Sequence, residues 1–222
     1  MMDFECSDVG LWKEALSSYP VRIKSLSKPN LVSFDEFYRS ELPSLLHQRN
    51  PNPYITTPEL SKLMQWKLSR GKWRPRLLDF VSSLDDELVK SASEKAFQSL
   101  PDISKAVNAL TVLKGVGPAT ASAILAAYAP DVAPFMSDEA MVAALGHSKD
   151  YTLKQYLLFV DKLQTKAKCH SKTMAFGLKK KKPSGTEFNW GLLDAVRCRN
   201  GSLEFCCRGQ VANYTSRFRA KE

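Results

Sequence analysis

The chain has 222 residues and a formal net charge of +9, most of which is concentrated after residue 178. Residues 179–222 carry ten Lys and Arg against four Asp and Glu, whereas residues 1–178 carry 22 against 19. A nucleic-acid-binding function must therefore rest on local basic clusters and not on the overall charge.

The sequence also indicates the cellular compartment in which the protein is expected. No apolar run approaches the length that a membrane-spanning helix needs, and the N-terminus MMDFECSDVG has no apolar signal region. The cysteines number five and include no C-x-x-C pair: Cys6, Cys169, Cys198, Cys206 and Cys207. We expect reduced thiols in an intracellular protein that does not bind membranes.

Taken in chain order, residues 8–19 and 34–47 predict two short helices, because each range carries apolar residues at helical spacing. Pro43 is expected to interrupt the second helix. Thr57, with a proline and an acid directly after it, predicts the N-cap of a helix that ends at Gly71.

Three further helices are predicted over residues 73–84, 85–100 and 102–113, each with an apolar stripe. Ser137 is predicted to cap a helix that ends at Gly146, and residues 151–168 predict a last helix. No window shows the alternation of a strand bounded by turn residues. The predicted class is all-α, with a helical domain over residues 1–178.

Residues 179–222 are predicted to form a basic linker and tail. The run Lys179–Lys182 stands before a proline, a composition that is typical of an exposed linker and that also resembles a nuclear-import signal. Residues 189–197 predict one more helix, docked on the core through Trp190, and we expect the rest of the tail to be poorly ordered. The basic run favours a nuclear location.

The most distinctive pattern is Gly115-Val116-Gly117-Pro118, which has an apolar run of helical spacing on each side. Two helices joined by G-x-G predict a hairpin, because glycine tolerates a positive φ and a close backbone approach. Pro118 suits the first turn of the second helix. The free N–H groups of that turn lie at the positive end of a helix dipole and predict a seat for one phosphate.

The stretch LKGVGPATA over residues 113–121 resembles the helix-hairpin-helix motif of the DNA glycosylase superfamily, in which a Gly/Pro-rich stretch and an aspartate follow the hairpin. Its G-V-G-P-A-T-A form is most similar to the 3-methyladenine, or alkylated-base, branch. Asp138 lies twenty residues after Pro118, near the family spacing. The stretch WKLSRGKWRPRLL resembles a group of poorly characterised eukaryotic glycosylase-like proteins.

The resemblance implies a two-lobed helical bundle, with the helix-hairpin-helix at about residues 102–129, that binds duplex DNA through its backbone. In this family the hairpin turn binds a phosphate with backbone N–H groups and often holds a monovalent cation with its carbonyls. The candidate backbone contacts are Lys114, Gly115, Val116, Gly117 and Thr120. The alternative interpretation is a packing joint between two helices.

Some glycosylase relatives carry a four-cysteine iron–sulfur cluster near the C-terminus. The spacing of the cysteines in this chain does not match such a cluster. We therefore expect no iron–sulfur cluster, no metal bound by side chains and no cofactor other than the cation at the hairpin.

A basic, tryptophan-rich stretch, WKLSRGKWRPR over residues 66–76, holds five cations and two tryptophans without an acid. A DNA-backbone reader needs cations to displace counterions and aromatic planes on which bases stack. The candidate phosphate contacts are Lys67, Arg70, Lys72, Arg74 and Arg76. Trp66 and Trp73 are candidates for base stacking, and the alternative is that they are core residues beside solvated cations.

Asp138 is the candidate catalytic carboxylate, with Glu139 as the alternative one residue along. Breaking an N-glycosidic bond develops oxocarbenium charge, which a carboxylate stabilises while it orients or deprotonates the attacking water. The alternative is structural, because Ser-Asp-Glu is also an ordinary helix start in which acids interact favourably with the dipole.

Ala119 departs from the family pattern. Bifunctional members place a lysine nucleophile here, so Schiff-base lyase chemistry is not expected, and the aromatic that often lines the base pocket is missing as well. Tyr128 and Phe135 are the remaining candidates for stacking a flipped base, with core packing as their alternative. Two hypotheses stand: a DNA-binding, monofunctional glycosylase, and a non-catalytic scaffold or adaptor that has kept the helical frame.

Overall fold

A computed structural model describes residues 4–6, 8–71, 74–146 and 150–177 of the chain. Within these ranges the regular structure is entirely helical and contains no strand, which confirms the all-α prediction. The tail predicted at 179–222, with its basic run and its helix at 189–197, lies outside the described residues. The helices are α1 (Val9–Ser17), α2 (Tyr19–Ser25), α3 (Leu31–Glu36), α4 (Leu42–Gln48), α5 (Thr57–Arg70), α6 (Pro75–Ser82), α7 (Asp86–Gln98), α8 (Ile103–Leu110), α9 (Pro118–Tyr128), α10 (Asp138–Leu145) and α11 (Leu153–Gly177).

Helices α3 and α4 are continuous, because a π-helical turn over Phe37–Glu41 joins them. The predicted interruption at Pro43 is therefore wrong. Pro43 lies in the first turn of α4, directly after a π turn in which the N–H of Leu42 donates to the carbonyl of Phe37. This wider turn accommodates the proline ring and its missing N–H, so the helix continues through it.

Helix α5 begins with a capping box, one residue earlier than predicted. The N-cap is Thr56 and not Thr57, and the Thr56 N–H donates to the Glu59 carboxylate at 2.9 Å. Arg49 donates two further hydrogen bonds to the same carboxylate, at 2.6 and 2.9 Å. This bidentate contact fixes the segment before α5 to the first turn of the helix.

The core is organised around the fully buried Trp66. Its ring stacks on Tyr38 with 3.6 Å between the centroids, and its indole N–H donates to Asp35 at 2.9 Å. The same carboxylate oxygen accepts from the Tyr19 hydroxyl at 2.7 Å, so this buried acid has two donors. The Tyr38 hydroxyl donates to the carbonyl of Ala123 at 3.0 Å, which connects this cluster to α9.

Two contacts position the predicted functional regions. Helices α8 and α9 are joined by residues 111–117, here called the hairpin turn. Helix α6 packs on this turn through Phe80 and Val81, and Asp138, the first residue of α10, is hydrogen-bonded to Tyr151, which lies just before α11. Of the helices described, none combines the length and the apolar composition that crossing a membrane requires.

Candidate functional site

Gly115 is required by the conformation of the hairpin turn. Its φ is +90°, a region that residues with a side chain rarely adopt. A Cβ at this position would also lie 3.1 Å from the Cβ of Phe80 and 3.5 Å from a methyl group of Val81. Gly115 therefore serves two structural purposes, since it allows the turn and lets α6 pack closely against it.

Gly117 differs from Gly115 in both respects. Its φ of −99° and ψ of −179° are extended backbone that any residue adopts, and a Cβ built on it would meet no atom within 4 Å. The residue is exposed. Neither strain nor packing within the described structure requires a glycine here. Gly117 is the N-cap of α9, a position that glycine suits, and its open surface would also allow the close approach of an outside molecule.

The N–H groups around Gly117 are available to such a molecule. The carbonyl of Gly117 accepts from the N–H groups of Thr120 and Ala121, both at 2.9 Å. The N–H groups of Gly117 and Ala119 donate to no acceptor in the part of the chain that the structure describes. They lie at the N-terminus of the eleven-residue α9, where the helix dipole favours an anion.

The side chains around the turn contribute unequally. Lys114 is exposed, and its Nζ lies 4.6 Å from the centroid of the Phe80 ring. The side chain of Val116 is 5% exposed and that of Thr120 is 3% exposed, so both belong to the core. The expected phosphate contacts through Val116 and Thr120 are corrected accordingly, because their N–H groups already donate to the carbonyls of Leu113 and Gly117, at 3.0 and 2.9 Å, and their side chains are covered.

The turn also fits the chemistry of the expected monovalent cation. The carbonyl oxygens of Lys114, Gly115 and Val116 accept no hydrogen bond from the described residues. Carbonyl oxygens are the ligands that hard cations prefer. These three residues would hold the cation, and its charge would add to the attraction of the turn for a phosphate.

Asp138 is the first residue of α10, and the predicted cap at Ser137 is confirmed, since its hydroxyl accepts from the Ala140 N–H at 3.2 Å. The Asp138 side chain is exposed and accepts a short hydrogen bond, 2.6 Å, from the Tyr151 hydroxyl. Partial burial and this bond raise the pKa of Tyr151 to about 12. The hydroxyl therefore keeps its proton at neutral pH and remains a donor to the carboxylate.

Tyr151 is the functional residue that sequence reasoning missed. It lies thirteen residues after Asp138, in the segment before α11, and no local pattern connects the two. Glu139 is half-buried and close enough for its charge to contribute to the raised pKa of Tyr151. The hydrogen bond nevertheless goes to Asp138, which favours Asp138 over Glu139 as the oriented carboxylate.

Two of the predicted phosphate contacts lie beside this carboxylate. Lys67 is half-buried on the last turn of α5. Burial lowers its pKa, the charge of Asp138 opposes that shift, and the charge of Arg74 adds to it. Arg74 is exposed and also acts on the Tyr151 hydroxyl. Lys67 and Arg74 are thus close enough to the Asp138–Tyr151 pair for their charges to act on it.

Other predicted contacts in the same stretch have different surroundings. Arg76 is exposed on α6. Arg70 is only 4% exposed, and its guanidinium lies 5.3 Å from the Trp66 ring and 5.8 Å from the Phe135 ring. The expected surface role of Arg70 is corrected, because Arg70 lies one turn after Trp66 on the face of α5 that packs inward. Lys72 and Trp73 are outside the described residues.

The aromatic candidates separate into three environments. Trp66 is fully buried, so its expected role in base stacking is corrected to that of a core residue. Phe135 is half-buried, 5.4 Å from Trp66 between centroids and three residues before Asp138. Tyr128 stacks instead on His47 at 5.2 Å, at the end of α9 far from the hairpin turn. Of the described aromatic candidates, Phe135 lies nearest to Asp138 in the sequence.

The candidate site thus has two parts: an exposed carboxylate that accepts a hydrogen bond from a tyrosine and has two cations whose charges act on this pair, and the hairpin turn with its free N–H groups. Among the residues described, no group of three or more His, Cys, Asp or Glu side chains is placed to hold a metal ion. Comparison of the chain with protein-family models, with curated proteins and with solved structures gives no match.

Proposed function

We propose that the chain is a duplex-DNA-binding protein of the helix-hairpin-helix glycosylase type, with the two-lobed helical arrangement of that superfamily and a nuclear location. The observation that carries the proposal is the hairpin turn, where Gly117 is open and the N–H groups of Gly117 and Ala119 have no acceptor. A DNA phosphate fits this turn by charge and by its hydrogen-bonding capacity. Such contacts position the protein on a duplex without reading its sequence.

The carboxylate site supports a second step, the removal of a damaged base by water attack. Asp138 would stabilise the developing oxocarbenium charge and orient or deprotonate the water that attacks the sugar. Tyr151, bonded to it at 2.6 Å, would hold the carboxylate in one orientation. With Ala119 at the position of the family's nucleophilic lysine, the reaction proposed is monofunctional and has no lyase step.

The experiment that tests the enzymatic half is a base-release assay. Duplexes that carry one alkylated, deaminated or oxidised base are incubated with the full chain and then treated with hot alkali, which breaks the strand at abasic sites. The proposal predicts alkali-dependent breakage at one class of lesion and none before alkali. Duplexes that stay intact for every lesion would contradict the enzymatic half and leave the binding half to be tested by itself.

A non-catalytic scaffold or adaptor is the second candidate function. It is favoured by the burial of Trp66, Arg70 and Thr120, because their burial removes three of the predicted contacts from the surface that faces DNA. If this scaffold does not bind DNA, replacements of Gly115 and Gly117 are expected to change only the folding of the protein. The two glycines therefore discriminate between the candidates.

The lowered pKa of Lys67 predicts an unusual pH dependence of DNA binding. An ordinary lysine loses its charge near about pH 10.4, and Lys67 is expected to lose its charge at a lower pH because it is half-buried. As the pH rises through that range, one phosphate contact disappears. The slope of log K against log salt is expected to become shallower by about 1, measured by fluorescence anisotropy with a labelled duplex.

Lys67→Arg is the matched control for this experiment, because a guanidinium stays charged over the whole range. Its salt slope is expected to stay constant from neutral pH to the pH at which the wild-type slope has fallen. If the wild-type and Lys67→Arg proteins lose the same slope at the same pH, another group is responsible and Lys67 does not contact phosphate.

A further inference from the structure

An apolar surface on α11 has no part in the site described above. Leu157 is 37% exposed and Leu158 is 49% exposed, on a helix that packs on the core through Tyr156 and Phe159. They line a shallow cavity of about 460 Å³. Its lining residues are Leu153, Lys154, Leu157, Leu158 and Asp161.

A second cavity continues the first. It has a volume of about 370 Å³, shares Leu157 and Asp161 with the first cavity, and extends across α11 to residues 101–104 at the start of α8. We call the two together the α11 trough. Its floor is apolar around Leu157, and its rim carries charges of both signs, Lys154 and Asp161.

The chain continues for 45 residues after Gly177, where α11 ends. Within this continuation, Phe188–Val196 has the sequence FNWGLLDAV, in which five of nine residues are large and apolar. A segment of this composition gains free energy when it leaves water for an apolar surface. It also carries Asp194, and Arg197 follows it directly, so it can complement both charges of the rim.

The length of the intervening chain allows this segment to reach the trough. Leu157 lies twenty residues before Gly177 on α11, a distance of about 30 Å at 1.5 Å per residue. Ten residues lie between Gly177 and Phe188, and the eleven steps from one to the other span up to about 36 Å when extended.

We propose that Phe188–Val196 packs in the α11 trough of its own chain, with Trp190 against Leu157 and Leu158. The tether favours this occupant over a second copy, which would have to associate from bulk solution. The inference depends on the trough and on the sequence after Gly177, and it holds independently of whether the chain binds DNA.

A double-mutant cycle on the full chain tests the proposal. Leu158→Gln and Trp190→Gln are each expected to lower Tm by about 2–4 °C, and the double variant is expected to lower it no further than either single change. Leu88→Gln is the matched control, because Leu88 is a helix residue of α7 with 47% exposure away from the trough. Leu88→Gln is expected to leave Tm unchanged both in the wild type and in the Trp190→Gln variant.

A spectroscopic measurement keeps the proposal testable if the changes in Tm are small. The emission of Trp190 is obtained as the difference between the full chain and Trp190→Gln, and packing in the trough predicts a blue-shifted spectrum that Leu158→Gln moves to longer wavelength. A solvent-like Trp190 spectrum, or strictly additive effects of Leu158→Gln and Trp190→Gln on Tm, would overturn the proposal. Concentration-dependent dimerisation that Leu158→Gln abolishes and Trp190→Gln preserves would assign the trough to a second copy and overturn it too.

Discussion

Replacement of Asp138 by Asn is expected to lower the rate of base release by about 10²- to 10⁴-fold, the range for loss of a group that accepts a proton in the transition state. The amide cannot take a proton from the attacking water and carries no charge to oppose the oxocarbenium ion. The rate is measured in single-turnover experiments on the lesion that the wild type releases. Circular dichroism and Tm establish that the variant is folded.

The structure indicates that the fold tolerates Asp138→Asn. The cap of α10 is the Ser137 hydroxyl and not Asp138, and the amide oxygen of an asparagine still accepts a hydrogen bond from Tyr151. The loss of the charge at the helix N-terminus costs about 0.3–1 kcal/mol. A large loss of rate can therefore be read as a loss of chemistry.

Glu139→Gln is the matched control, because it removes the neighbouring acid from the same helix turn. It is expected to retain most of the rate, and Tyr151→Phe, which removes the 2.6 Å hydrogen bond, is expected to give a loss smaller than that of Asp138→Asn. If Glu139→Gln abolishes release and Asp138→Asn does not, the catalytic role belongs to Glu139. Full activity in both variants would exclude a role for either acid.

The two glycines of the hairpin turn are expected to respond to alanine to different degrees. Gly115→Ala is expected to destabilise the fold by about 1–3 kcal/mol, because alanine is strained at a φ of +90° and its Cβ would crowd Phe80 at 3.1 Å. Gly117→Ala is expected to cost no more than about 1 kcal/mol, since its extended conformation suits any residue but alanine is a poorer N-cap of α9 than glycine. Both values come from denaturant unfolding of the full chain.

The effect of Gly117→Ala on DNA binding is expected to be large although its effect on the stability of the fold is small. A methyl group beside the N–H groups of Gly117 and Ala119 would keep a phosphate from approaching them. Loss of a hydrogen bond to a charged group is worth about 1.5–3 kcal/mol, so the affinity for duplex DNA is expected to fall about 10- to 100-fold.

The outcome separates the two candidate functions. A stable Gly117→Ala protein with reduced affinity supports phosphate binding at the turn. Unchanged affinity in Gly117→Ala, together with the destabilisation of Gly115→Ala, would show that the turn is only a packing joint between α8 and α9.

The helices could be predicted from the sequence because their signals are local. Asp85, Asp102 and Ser137 are the N-caps of α7, α8 and α10, and each accepts a backbone N–H with its side chain. Between these caps, the helical spacing of apolar residues identified the face of each helix that packs on the core. Pro43 shows the limit of such signals, because a π turn before it lets the helix continue.

The sequence could not predict which residues of the basic stretch reach solvent. The four-residue spacing of Trp66 and Arg70 indicates that they share a face of α5, but only the packing of Tyr38 and Asp35 on Trp66 decides that this face is inward. Lys67, on the adjacent face, remains half-buried beside Asp138. Burial of a helix face depends on its tertiary neighbours, and the periodicity alone does not identify them.

The sequence predicts only part of the candidate site, because some of its contacts also depend on tertiary packing. The sequence identifies Asp138 and the turn, but the contact between Asp138 and Tyr151 joins the starts of two helices and has no local signature. The motif likewise contains two glycines, but it does not indicate that Gly115 has a positive φ and a close neighbour in α6 whereas Gly117 has neither.

The most direct test of the account is the salt dependence of duplex binding by the full chain. Exposed or half-buried cations at the turn and the carboxylate site are Lys67, Arg74, Arg76 and Lys114. With two to four phosphate contacts, log K is expected to fall linearly with log salt, with a slope of about −2 to −4. An affinity that does not change with salt, or no binding at low salt, would contradict the proposal that this protein binds the DNA backbone.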